Sequence, residues 1–182
     1  NGVTSISLES SNAYFDFDGD SRRERTAWIE GGDALLAADL NADGSINDGS
    51  ELFGDHTVLE DGSLATDGYD ALSQYDSNGD SIIDSTDTRF SDLLLWKDSN
   101  GDGKSSTDEL TSLEANGVTS INLSRIDGST FEQINENGNV ISNETNYSTI
   151  EGDGIVRDVW FKYNSSDTIA VSNLSDADEK KI

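Results

Sequence analysis

The 182-residue chain contains no cysteine, no proline and no methionine. Without cysteine, neither disulfides nor thiolate metal sites can hold the fold, so a secreted protein of this size needs another fastener. Basic residues are also scarce: 11 Lys and Arg stand against 37 Asp and Glu, for a formal charge of -26. That balance argues against nucleic acid or an anionic membrane as partner. Hydrophobic residues make up only 33% of the chain, and the longest apolar runs, such as 34–38, span a few residues. Nothing reads as a signal peptide or a membrane span. The absence of any methionine, an initiator included, suggests a piece of a longer polypeptide. So acidic a chain repels itself on compaction, and we expect the metal-free form to be loose or unfolded and a calcium-loaded form to be compact.

What the chain has in abundance is Asp, Asn and Gly at one recurring spacing. Residues 98–109 (DSNGDGKSSTDE) form a complete twelve-residue calcium loop. Calcium takes six to eight oxygens at about 2.3–2.6 Å. This loop offers Asp98, Asn100 and Asp102 at positions 1, 3 and 5, the carbonyl of Lys104 at position 7 and Glu109 at position 12, with a glycine at position 6 for the sharp turn. A second loop offers Asp39, Asn41, Asp43 and the Ser45 carbonyl; its twelfth residue is Ser50, so either Glu51, the favoured ligand, closes it through a one-residue expansion at Gly49, or water does. A third offers Asp76, Asn78, Asp80, the Ile82 carbonyl, Asp84 and the shorter closing acid Asp87, with Ser81 in place of glycine. A fourth has Asp16, Asp18 and Asp20 followed by two arginines, and Glu24 completes it only with help from elsewhere. One such string alone reads equally well as a solvated turn, because Asp, Asn and Gly favour turns for local reasons. Four in one chain make that account poor.

The loops beginning at Asp76 and Asp98 start 22 residues apart, too close for two helix-loop-helix units. Between them, residues 88–97 (TRFSDLLLWK) are expected to form one short helix serving both loops. Residues 65–75 place Tyr69, Leu72 and Tyr75 at helical spacing behind Thr66 or Asp67 as N-cap, and residues 107–115 read as a third helix stopped at Asn116-Gly117. From Asn116 the period changes to 2. Residues 116–123 (NGVTSINL) repeat residues 1–8 (NGVTSISL), a short internal duplication with strand alternation. Residues 131–135 and 140–150 flank an Asn137-Gly138 hairpin turn, and 158–163 (DVWFKY) read as a central strand. The expectation is an α+β fold: one calcium-stabilised domain over residues 1–171, antiparallel β-strands packed beside a short helical unit with EF-hand or dockerin-like loops. Residues 172–182 read as a linker or disordered tail.

Several stretches in order carry a family likeness: 14–20 (YFDFDGD), 25–29 (RTAWI), 33–43 (DALLAADLNAD), 47–57 (NDGSELFGDHT), 68–80 and 93–102. Over roughly residues 14–163 the chain resembles the self-processing module of FrpC-like RTX proteins and related modules embedded in giant RTX adhesins. The DGSELFGD segment, 48–55, is the most distinctive part. The resemblance implies a secreted or cell-surface protein, exported by a type I system, that folds on meeting calcium outside the cell. It also implies calcium-triggered cleavage of an Asp-Pro bond just before the module, through an anhydride at that Asp. The chain departs here, since it has no proline.

As an enzyme in trans the chain offers no catalytic constellation: His56 is its only histidine and reads as a polar loop residue. The function expected from these residues is calcium-dependent recognition of a ligand, a peptide or protein on another cell surface, by a monomeric module of a longer adhesin. About four Ca2+ ions would hold the fold. A ligand carboxylate would need an open calcium position, a helix N-terminus or an arginine such as Arg125 or Arg157. Trp28, Trp96 and Trp160 are possible walls, although core burial is the commoner fate of tryptophan. Autocatalytic Asp-Pro processing is the alternative, and a passive calcium-stiffened spacer a third.

Overall fold

The computed structural model describes residues 3–30, 32–124 and 133–171. Its strands are β1 (Ser5–Ile6), β2 (Tyr14–Phe15), β3 (Arg22–Thr26), β4 (Trp28–Ile29), β5 (Leu35–Ala37), β6 (Ile82–Asp84), β7 (Leu94–Trp96), β8 (Leu110–Ser112), β9 (Val118–Asn122), β10 (Gln133–Ile134), β11 (Val140–Thr149), β12 (Gly152–Trp160) and β13 (Tyr163–Ala170). They form four antiparallel sheets: β1-β4, β13-β3-β2, β5-β7-β8, and β10-β11-β9-β6 with β12 on the other side of β11. Among the described residues the one α-helix is α1 (Gly68–Ser73), too short for a helix-loop-helix unit. The expected α+β class with EF-hand-like helices is therefore corrected to a mostly β fold.

The expected helix over 88–97 is a 3-10 turn at Phe90–Asp92 followed by β7. The physical reason lies in what flanks it. β7 is the middle strand of its sheet, pairing Leu35 with Trp96 on one side and Trp96 with Leu110 on the other. Leu36 and Leu95 pack against a core of Leu72, Tyr75, Ile83, Leu93, Leu113, Val118 and Ile121. Leu35, Ala37, Trp96 and Leu110 belong to a second cluster with Phe15, Trp28 and Ile46. A strand buried on both faces carries an unbroken apolar run, which periodicity does not separate from a helix. The expected helix over 107–115 likewise becomes β8 and a 3-10 turn at Glu114–Asn116, with Gly117 at φ +70° ending it.

Helix α1 does form where residues 65–75 placed one, and Asp67 caps it by accepting from the Tyr69 and Asp70 amides. The hairpin around Asn137-Gly138 is present, β10 pairing with β11, and residues 125–132 of its approach lie outside the described set. The two copies of the NGVTS repeat part company: β9 lies inside the largest sheet, and β1 forms a two-stranded ribbon with β4. The strand read at 158–163 is not central. It is split between β12, which among the described residues pairs only with β11, and β13, which pairs with β3. Residues 172–182, expected as a tail, lie outside the described residues.

Candidate metal-binding loops

Three of the four acidic loops join antiparallel partners. Residues 16–21 turn between β2 and β3, with Glu24 inside β3, and 98–109 turn between β7 and β8. Residues 39–51 leave β5 and return beside it, where Ala37 bridges Leu52 and the Ala38 amide donates to the Glu51 carbonyl. Residues 76–87 run from the end of α1 through β6.

All four share one local geometry. The first carboxylate accepts from the amide of the sixth residue: Ser21 to Asp16 at 2.9 Å, Gly44 to Asp39 at 2.8 Å, Ser81 to Asp76 at 2.9 Å and Gly103 to Asp98 at 2.8 Å. The third side chain accepts from the fifth amide at Asp18, Asn41, Asn78 and Asn100. The fifth accepts from the seventh amide at Asp20, Asp43, Asp80 and Asp102, the donors being Arg22, Ser45, Ile82 and Lys104. The sixth residue has positive φ in every loop: Ser21 +69°, Gly44 +85°, Ser81 +67° and Gly103 +72°. Gly103 is needed for a second reason, since a Cβ there would lie 2.7 Å from the Tyr14 carbonyl oxygen.

The closing carboxylates also match. Glu51 accepts from the Leu40 and Asn47 amides at 3.0 and 2.8 Å, Asp87 from Ser77 and Asp84 at 2.7 and 2.9 Å, and Glu109 from Ser99 and Ser106 at 2.9 and 3.1 Å. Each ties the start of its loop to the ninth residue, Asn47, Asp84 or Ser106. In the first loop, position 12 is Ala27, and Glu24 at position 9 comes together with Asp16 and Asp18 instead. Their carboxylate oxygens lie within 4.8 Å of one another, a group that can hold a metal ion. Arg22 donates to Thr168 at 2.6 Å, so that cation is turned to β13.

Burial shapes the titration of these groups. It raises the pKa of Asp16, against the amides of Gly19, Ser21 and Asp20, and that of Glu24, with help from Asp18 and Asp20. It also raises Glu51 and Asp102. Asp87 is lowered: burial pushes it up, and the donors at Asp84, Ser77 and Asn78 overcome that. The donor set is oxygen throughout and suits a hard cation such as Ca2+, which would be held by these side chains and the position-7 carbonyls.

One contact beyond the motif joins a loop to the core. The indole of fully buried Trp28 donates to the first carboxylate, Asp98, at 2.7 Å. No spacing rule connects two residues 70 apart, and only the usual need of a buried indole for a partner signalled it. Trp96 is also fully buried, while Trp160, expected in the core, is about half exposed. With half-exposed Tyr163 and Ile155 it lines a cleft of about 640 Å3 that also reaches Leu36, Tyr69 and Leu95. Arg157 is paired with Glu144 at 3.0 Å, and Arg125 lies outside the described residues. His56 is exposed, 3.9 Å from Asp55.

The SPM domain family model matches residues 1–162, nearly the whole of the described chain. The chain belongs to the SPM domain family. It is also 39% identical over 155 residues to the iron-regulated protein FrpA of Neisseria meningitidis serogroup C, an alignment covering 83% of this chain and 13% of that protein. Both findings support, at family level, the FrpC-like self-processing resemblance carried by residues 14–163. The SPM chain thus corresponds to a small part of its much longer relative. No helix among the described residues is long and apolar enough to cross a membrane.

Proposed function

We propose that this SPM domain is a calcium-folded recognition module of a large secreted RTX adhesin, taking a peptide or protein ligand from another cell surface. The observation that carries the calcium part is the repeated geometry of the loops, above all the clasp that Glu51, Asp87 and Glu109 each make between loop start and ninth residue. Family membership and the FrpA relative fit an RTX-protein setting. The cleft with Trp160 and Tyr163 at its edge supports the recognition part, because exposed aromatics beside an apolar hollow suit a ligand side chain. Thermal melts with calcium and with EDTA test the first part, and an unchanged melting temperature refutes it. Peptide arrays probed with the wild type and Trp160→Ala test the second, which fails if no calcium-dependent ligand saturates or if the variant binds equally well.

Membership of this family also favours a second reading, calcium-triggered Asp-Pro processing. The chain contains no proline, so the cleaved bond would lie outside these residues. Fusing an Asp-Pro segment ahead of the module and following its mass after calcium addition separates the readings: scission supports processing, and an intact fusion rejects it.

A further inference from the structure

We propose that loops 39–51 and 98–109 take up calcium as a coupled pair, joined by the hydroxyl of Ser105. The inference rests on the calcium reading above and deepens it. Ser105 and Ile46 each occupy the eighth position of their loop. The Ser105 hydroxyl accepts from the Ile46 amide at 2.6 Å and donates to the Ile46 carbonyl at 3.3 Å. One side chain therefore makes both contacts that two facing peptide groups would share in a two-residue bridge.

The eighth residue is well placed to transmit order. On one side of it is the carbonyl of the seventh residue, Ser45 or Lys104, an expected ligand. On the other is the amide of the ninth, Asn47 or Ser106, which donates to the closing carboxylate at 2.8 or 3.1 Å. Ordering either loop fixes Ile46 against Ser105 and so lowers the entropic cost of ordering the other. In loop 76–87 the eighth residue, Ile83, pairs with Ile121 of β9 instead. That loop supplies an internal reference that senses overall folding and lacks the link.

Amide NMR of the intact chain during calcium titration tests the pairing. The Gly44, Ser81 and Gly103 amides each donate to the first carboxylate of their own loop and report it separately. Asp39→Asn should raise the calcium midpoint at Gly103 about fivefold or more beyond any shift at Ser81. Coupling is reciprocal, so Asp98→Asn should move Gly44 by a matching excess. Ser105→Ala should abolish the excess, and Ser105→Thr, which keeps the hydroxyl, should retain it. Equal shifts at Gly103 and Ser81, or an excess that survives Ser105→Ala, overturn the coupling alone. No calcium response at any of the three amides overturns the calcium reading with it.

Discussion

The loops at Asp98 and Asp16 solve one problem in opposite ways. In the first, the opening and closing carboxylates both have donors: Asp98 receives the Trp28 indole and two loop amides, and Glu109 receives the Ser99 and Ser106 amides with the Ser106 hydroxyl. In the second, Asp16 is well supplied with amides, but Glu24 is buried beside Asp16 and Asp18 and raised by that burial and by its acidic neighbours. The Asp98 loop is thus largely preorganised by its own backbone. The Asp16 loop holds like charges together and has most to gain from a cation between them.

Removing the cation breaks the comparison most severely. At a thousandfold excess over its dissociation constant, one site contributes ~4 kcal/mol, and each kcal/mol moves the melting temperature of a chain this long by about 2–4 °C. EDTA is expected to lower the melting temperature by more than about 10 °C, and calorimetry checks it. Next in size, Glu109→Gln and Glu24→Gln should have opposite signs in the metal-free chain. Glu109→Gln turns an amide group toward backbone donors and costs about 1–3 kcal/mol. Glu24→Gln removes a crowded charge and should raise the metal-free melting temperature by about 2–4 °C. Both should weaken calcium binding in titration calorimetry.

The pH response comes third. A carboxyl whose folded pKa is raised holds more protons folded than unfolded, so its contribution is present in acid and fades as pH climbs through the raised value. Asp16, Glu24, Glu51 and Asp102 act in this sense, and lowered Asp87 opposes them. The metal-free chain should therefore gain stability between neutrality and about pH 4–5, while the calcium form loses it as protons displace the ion. Glu24→Gln should flatten the metal-free slope. The smallest effect belongs to Trp28→Phe, which keeps the apolar ring and deletes the donor to Asp98. It should cost about 1 kcal/mol and raise the calcium midpoint at Gly103 by up to about tenfold, with little change at Ser81.

The turn geometry of the loops was legible because its chemistry is local: spacing of Asp, Asn and Gly sets which amide each carboxylate meets. Helix α1 was legible for a similar reason, through Asp67 and the Tyr69-Leu72-Tyr75 spacing. The strands beside the loops were not. Leu93, Leu94, Leu95 and Trp96 show a period only if one face meets water, and here Leu95 and Trp96 serve different cores. The two NGVTS copies give the same warning, since nearly identical residues become an inner strand at 118–122 and a ribbon at 5–6 according to the neighbours available. Contacts such as Ser105 with Ile46 belong to the tertiary fold and leave no signature in spacing.

The sheet β5-β7-β8 acts as a shared wall between the two apolar clusters, and the loop 98–109 is the clasp at its open end. Opening that clasp would loosen the β7-β8 edge that both compartments share, so a disturbance there reaches both. On the calcium reading, removing the ion would therefore lower the melting of both compartments together, in one transition at a lower temperature.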